Sequence, residues 1–139
     1  MKKPYLDANV VLDFVLKRSP FDAAAQELFA LAEHGQVQLL VSSLTFTVVH
    51  YVTSKQVGKA AATGEVVQLF RSVSTVAVNE QVVGRALQAN LPDFEDAVQL
   101  FAALEAGADV IVTRDPKGFP TNEVAVLNPL AVLQMLRTG

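Results

Sequence analysis

The sequence predicts an α/β fold, with helices covering both faces of a central parallel sheet of about five strands, in one domain spanning residues 1–139. Three observations carry that expectation. Short apolar runs suited to strands alternate with amphipathic helical segments from end to end, the pattern that right-handed crossovers between parallel strands produce. At 51% apolar and 18% charged, the chain can fill a core, and folding at 139 residues buries roughly two-thirds of the unfolded surface. No linker, repeat or low-complexity stretch interrupts the alternation.

Pro4–Ala8 reads as the first strand and Asn9–Lys17 as a short helix. Phe21–His34 is amphipathic, with Ala24, Leu28, Leu31 and Ala32 on one face and Gly35 placed to cap its end. Gln36–Val41 gives a second strand. Ser42 or Ser43 caps the next helix, whose Leu44, Val48, Tyr51 and Val52 share a side. Val57–Val73 reads as a further helix in which Gly58 and Gly64 each cost about 1 kcal/mol relative to Ala. Thr75–Val78 is a third strand, followed by a helix over Glu80–Ala89. After Leu91-Pro92, Asp93 opens a helix to about Ala106, stopped by Gly107. Asp109–Thr113 is the fourth strand. A loop with Pro116, Gly118 and Pro120 leads to a last strand over Val124–Leu127, and Pro129 suits the first turn of a closing helix.

Composition narrows the function. The absence of cysteine excludes disulfide scaffolds, zinc ribbons and thiol catalysis. No apolar run approaches the ~18 residues of a membrane span, and Asp7 comes too early for a secretory signal, so a soluble cytoplasmic protein is expected. Eleven Lys and Arg against fourteen Asp and Glu give a net charge of −3, which argues against a general nucleic-acid coat but not against a nuclease with an acidic site. The high apolar content favours a buried subunit contact such as a homodimer.

In a doubly wound sheet, function gathers outside the carboxyl ends of the strands, where strand order reverses. Three acids fall there: Asp7 after the first strand, Asp115 just past the fourth, and Asp96 in the first turn of the helix before the fourth strand. Crowded carboxylates raise one another's pKa, and a divalent cation removes that penalty. An all-oxygen set points to Mg²⁺ or Mn²⁺ rather than Zn²⁺. Asp93, three residues before Asp96, suits an N-cap. No Gly-rich dinucleotide loop or Walker loop follows the first strand, and no nucleophile elbow is present.

Four stretches together resemble the PIN domain family. They are Asp7-Ala8-Asn9-Val10-Val11-Leu12-Asp13, Ser42-Ser43-Leu44-Thr45, Asp93-Phe94-Glu95-Asp96-Ala97 and Val112-Thr113-Arg114-Asp115. The resemblance spans nearly the whole chain and implies a three-layer α/β/α sandwich with strand order 3-2-1-4-5. It also implies a Mg²⁺- or Mn²⁺-dependent ribonuclease acting on RNA, and, as in many short bacterial members of the VapC type, a toxin paired with an antitoxin. By position, Asp7, Asp96 and Asp115 match three of the family's four metal-site acids, and Asn9 and Thr113 match the polar residues that support them. The fourth acid, a glutamate early in the third helix, is missing: Val48 stands in its place, with His50 half a turn further on, as in a branch of the family that tolerates its loss. His50 on an apolar helix is expected to be packed or solvated rather than a ligand. Arg114 is the first candidate to contact substrate phosphate, with Lys55, Lys59 and Arg71 behind it. The rival reading is a PIN-like module that has lost metal with the glutamate and binds RNA or a partner protein.

Overall fold

The computed structural model describes residues 2–119 and 121–138, so Pro120 of the expected loop lies outside it. Strands β1 (Pro4–Leu6), β2 (Leu40–Ser42), β3 (Ser74–Val76), β4 (Val110–Val112) and β5 (Ala125–Leu127) are all parallel and pair in the order β3-β2-β1-β4-β5. Their connections supply helices α1 (Ala8–Val15), α2 (Asp22–Glu33), α3 (Ser43–Val57), α4 (Lys59–Ser72), α5 (Glu80–Ala89), α6 (Phe94–Glu105) and α7 (Pro129–Thr138). Among the described residues, no helix is long and apolar enough to cross a membrane.

Alternating side chains of each strand divide the core in two, as a sheet covered on both faces requires. Leu6, Val41, Val110 and Val112 pack under α1, α2, α3, α4 and α7, through residues such as Val10, Leu28, Val49, Leu69 and Val132. Tyr5, Leu40, Val76 and Ile111 pack on the other face against α5 and α6. Helix α6 is buried continuously from Ala97 to Ala103, and the small side chains of Ala97, Ala102 and Ala103 let it lie close on the sheet.

Several boundaries differ from the sequence expectation. Strand β1 ends at Leu6, because Asp7 already caps α1 by accepting from the Ala8 amide. Strand β2 starts later than expected; Val37 pairs with Lys2 only in an isolated bridge. Gly58 is not inside a helix: at φ +87° it ends α3 and begins α4, a conformation that favours glycine. The face of α3 is also reversed. Leu44, Val48 and Tyr51 are exposed, while Thr45, Val49 and Thr53 are buried. Apolar residues surround this helix, so periodicity alone does not select its inner side, and threonine methyls fill core space that valine would otherwise occupy.

Strands β1 and β4 are adjacent, with Leu6 opposite Val112, and the chain leaves them on opposite sides. Their carboxyl ends therefore open one crevice at the switch point.

Candidate metal centre

Asp7 continues the β1–β4 ladder, since its amide donates to the Val112 carbonyl at 2.9 Å. Its side chain then turns to cap α1. Oδ1 accepts from the Ala8 amide at 2.8 Å, and Oδ2 accepts from the Thr113 hydroxyl at 2.8 Å. Thr113, only 1% exposed, ties three parts of the crevice together. Its one donor goes to Asp7, while its oxygen accepts from Asn9 Nδ2 at 3.4 Å and from the Asp115 amide at 3.2 Å. That uses the full hydrogen-bonding capacity of a hydroxyl. Asn9 also reaches Asp7 Oδ2 at 3.4 Å and accepts from the Arg114 amide at 3.4 Å. The two polar residues matched to the family's supporting positions thus link Asp7 to the turn that carries Asp115.

Asp96 comes from the opposite layer. Asp93 is the N-cap of α6 and accepts from the Asp96 amide at 2.9 Å, which places Asp96 in the first turn. Gly118, in a 3-10 turn over Pro116–Gly118, shows where the acids meet. A Cβ at this glycine would lie 3.4 Å from Asp115 Oδ2 and 3.6 Å from Asp96 Oδ2. The two carboxylates face one small space that any larger side chain would enter.

The electrostatics agree with crowding. Burial raises the Asp7 carboxyl above its ordinary range, Thr113 and Ala8 pull it back, and the charge of Asp115 raises it further. Burial likewise raises Asp96; its contact with Glu95 lowers it, and Asp93, Asp7 and Asp115 add to the rise. Glu95, absent from the sequence-based site, is pushed up to about 7 by burial, then by Asp7 and by Asp96. Among the described residues, Asp93, Glu95 and Asp96 are the trio whose ligand atoms all lie within 4.8 Å of one another; of the three acids expected from the sequence, Asp96 belongs to it and Asp7 and Asp115 do not. No arginine or lysine among the described residues makes an ion pair with any of these acids. All the donors are carboxylate, hydroxyl or amide oxygens, the chemistry of a hard divalent ion, and the glycine-lined space leaves room beside them.

The expected phosphate contacts are placed differently. Arg114 Nε lies 2.9 Å from Asp13 Oδ2, and its guanidinium stacks on Phe21 at 4.2 Å, so this cation is already engaged. Arg18 approaches the same carboxylate at 3.3 Å. Asp13 is buried, and sequence reasoning missed it. The signal was there, because an acid inside Val10-Val11-Leu12-Asp13-Phe14-Val15 needs a charged partner to be buried. Lys55 sits over the Tyr51 ring at 4.6 Å, Lys59 is the first residue of α4, and Arg71 is in its last turn. Instead, Lys117 lines a cavity of about 330 Å³ together with Asp93, Asp96, Leu91, Leu100 and Phe119. His50 contacts the Thr63 hydroxyl at 2.9 Å and joins α3 to α4, as a packed histidine does.

Comparison with known proteins identifies the family. The PIN domain family profile matches residues 5–117. The chain is similar to Ribonuclease VapC1 of Aquifex aeolicus, 25% identical over 131 residues covering 91% of this chain and 90% of that protein. The fold is similar to the DNA-bound VapBC complex of Salmonella typhimurium, with TM-score 0.72 and 19% identity over 93% of this chain and 99% of that one. It is also similar to Mycobacterium tuberculosis VapC20, a sarcin-ricin loop cleaving toxin, with TM-score 0.62 and 14% identity over 78% and 86% of the two chains. With a profile covering most of the sequence and a matching strand order, this chain belongs to the PIN domain family.

Proposed function

We propose that the chain is a Mg²⁺- or Mn²⁺-dependent ribonuclease, with Asp7, Asp96 and Asp115 as its metal ligands, and that it is the toxin of a toxin–antitoxin pair. The observation that carries this reading is the crowding of carboxylates from β1, α6 and the turn after β4, none of which makes an ion pair among the described residues. When bound, a hard divalent ion supplies acidity to water and neutralises charge on phosphoryl oxygens.

The remaining work falls to side chains of the protein. Thr113 fixes Asp7 and anchors the Asp115 backbone, so two ligands that are distant in sequence keep one relative position. Asn9 braces the same turn and leaves Asp7 with acceptor capacity for a ligand. The N-termini of α1 and α6 both open on the crevice, and their partial positive charge favours an approaching phosphodiester. Lys117, beside Asp96, is the cation best placed to hold a neighbouring phosphate. An antitoxin and a second copy of the chain belong to the same proposal. The names of the structural neighbours support the first, and the apolar Leu44, Tyr51 and Phe70 exposed on α3 and α4 supply surface for protein contacts.

The test is cleavage of a panel of structured RNAs with Mn²⁺ or Mg²⁺, comparing wild type with Asp7→Asn. Asparagine keeps the helix cap, so the variant should fold and lose cleavage at least 100-fold. Equal cleavage by the two proteins rejects the assignment.

A further inference from the structure

We propose that Glu95 is a fourth carboxylate of this metal site, held toward Asp96 by a buried polar chain that runs through Gln99 and Tyr5. The inference rests on the metal-dependent reading above and adds a ligand to it.

Gln99 is a buried polar residue of α6. It lies on the sheet-facing side of α6 among Val98, Leu100, Ala102 and Ala103, and is only 3% exposed. A buried amide is costly unless its polar ends are satisfied. One end, Oε1, accepts from the hydroxyl of Tyr5, which is itself fully buried under α6. The other, Nε2, points along the helix and donates to Glu95 Oε1 at 3.4 Å. An apolar residue at position 99 would pack this interface without a network. The chain accomplishes one thing that packing does not: it fixes the carboxylate of a surface glutamate.

That carboxylate is aimed at the acids already described. Glu95 and Asp96 have ligand oxygens within 4.8 Å of each other. Glu95 is also close enough to Asp7 to feel its charge. An exposed glutamate is free to swing into water, and here it is restrained against a like charge instead. Such a restraint makes sense when a cation lies between the groups. It also answers the departure on α3, where Val48 stands exposed in the place of the family's glutamate. In this chain the fourth acid comes from α6.

Asp93 provides the control. It belongs to the same trio, so Asp93→Asn and Glu95→Gln each remove one negative charge near Asp96. Asparagine also preserves the N-cap of α6. A general electrostatic effect on cation binding would weaken both variants alike, whereas loss of a ligand weakens only one. The experiment is calorimetric titration of Mn²⁺ into wild type, Glu95→Gln, Asp93→Asn and Gln99→Leu, each first checked for native circular dichroism. The expected result is a dissociation constant raised at least tenfold by Glu95→Gln, three- to tenfold by Gln99→Leu, and less than threefold by Asp93→Asn. Wild-type affinity in Glu95→Gln, or equal weakening in Glu95→Gln and Asp93→Asn, overturns the role of Glu95 while leaving the three-acid site standing. No saturable binding in wild type overturns both.

Discussion

Helix α1 begins at one acid and carries a second near its other end, and the protein handles them in opposite ways. Asp13 is buried and faces Arg114 and Arg18 at 2.9 and 3.3 Å. Burial pushes its carboxyl up, and the two guanidinium groups pull it part of the way back. Asp7 is half-buried, makes no ion pair among the described residues, and feels the charges of Asp115, Asp96 and Glu95. The first arrangement pairs its charge with two cations, although Asp13 Oδ1 and Arg18 Nε make no hydrogen bond. The second is a set of like charges that no ion pair among the described residues neutralises, and the proposed metal site is built on it.

The contrast predicts substitutions of opposite sign. Asp13→Ala leaves two partly exposed arginines without their acid, and losing charged contacts of this kind costs about 1.5–3 kcal/mol. Its urea midpoint should fall accordingly. A loss below 1 kcal/mol would mean that Asp13 is not the anchor described here. Asp96→Asn, by contrast, removes repulsion in the metal-free protein. Its unfolding free energy without divalent ions should rise by about 0.5–1 kcal/mol, the scale of a partly exposed charge pair, while RNA cleavage is lost. If Asp96→Asn is destabilised to the same degree as Asp13→Ala, the two regions do not differ as described.

The pH dependence sharpens the same comparison. The Glu95 carboxyl is raised from an ordinary 4.5 to about 7, so the folded state holds its proton more tightly than the unfolded chain does. Its contribution to stability is complete below pH 4.5 and is lost as pH rises through about 7. Metal-free wild type should therefore lose stability relative to Glu95→Gln across that window, as measured by urea unfolding at a series of pH values. A gap that stays constant from pH 4 to 8 contradicts the crowding. The smallest effect is expected at Gly118, where Ala places a methyl group 3.4 Å from Asp115 Oδ2. Mn²⁺ affinity should drop a few-fold in Gly118→Ala with little change in metal-free stability. Unchanged affinity would show that this space is not the one an ion uses.

Much of this was legible in the sequence. The alternation of apolar strands and amphipathic helices pointed to the layered sheet, and the family resemblance to its strand order; Asp7 and Asp115 follow the adjacent strands β1 and β4, as their positions in the sequence suggested. What was hidden depended on contacts between distant segments. Arg114 read as a free cation because Asp13 and Phe21, which engage it, are remote in sequence. Glu95 was given no role in the sequence, since only the fold brings Gln99 against Tyr5. The inner face of α3 was concealed by its apolar residues on all sides, which left burial to be decided by α1 and α4 rather than by periodicity.

The central claim is that the acids of β1, α6 and the turn after β4 share one divalent ion. Anomalous diffraction from a crystal soaked in Mn²⁺ tests it most directly. A single strong peak is predicted among the carboxylates of Asp7, Asp96 and Asp115, with oxygen distances near the ~2.1–2.2 Å typical of hard divalent ions. A soaked crystal with no peak between those side chains, or with manganese only on Asp93 at the surface, would contradict it.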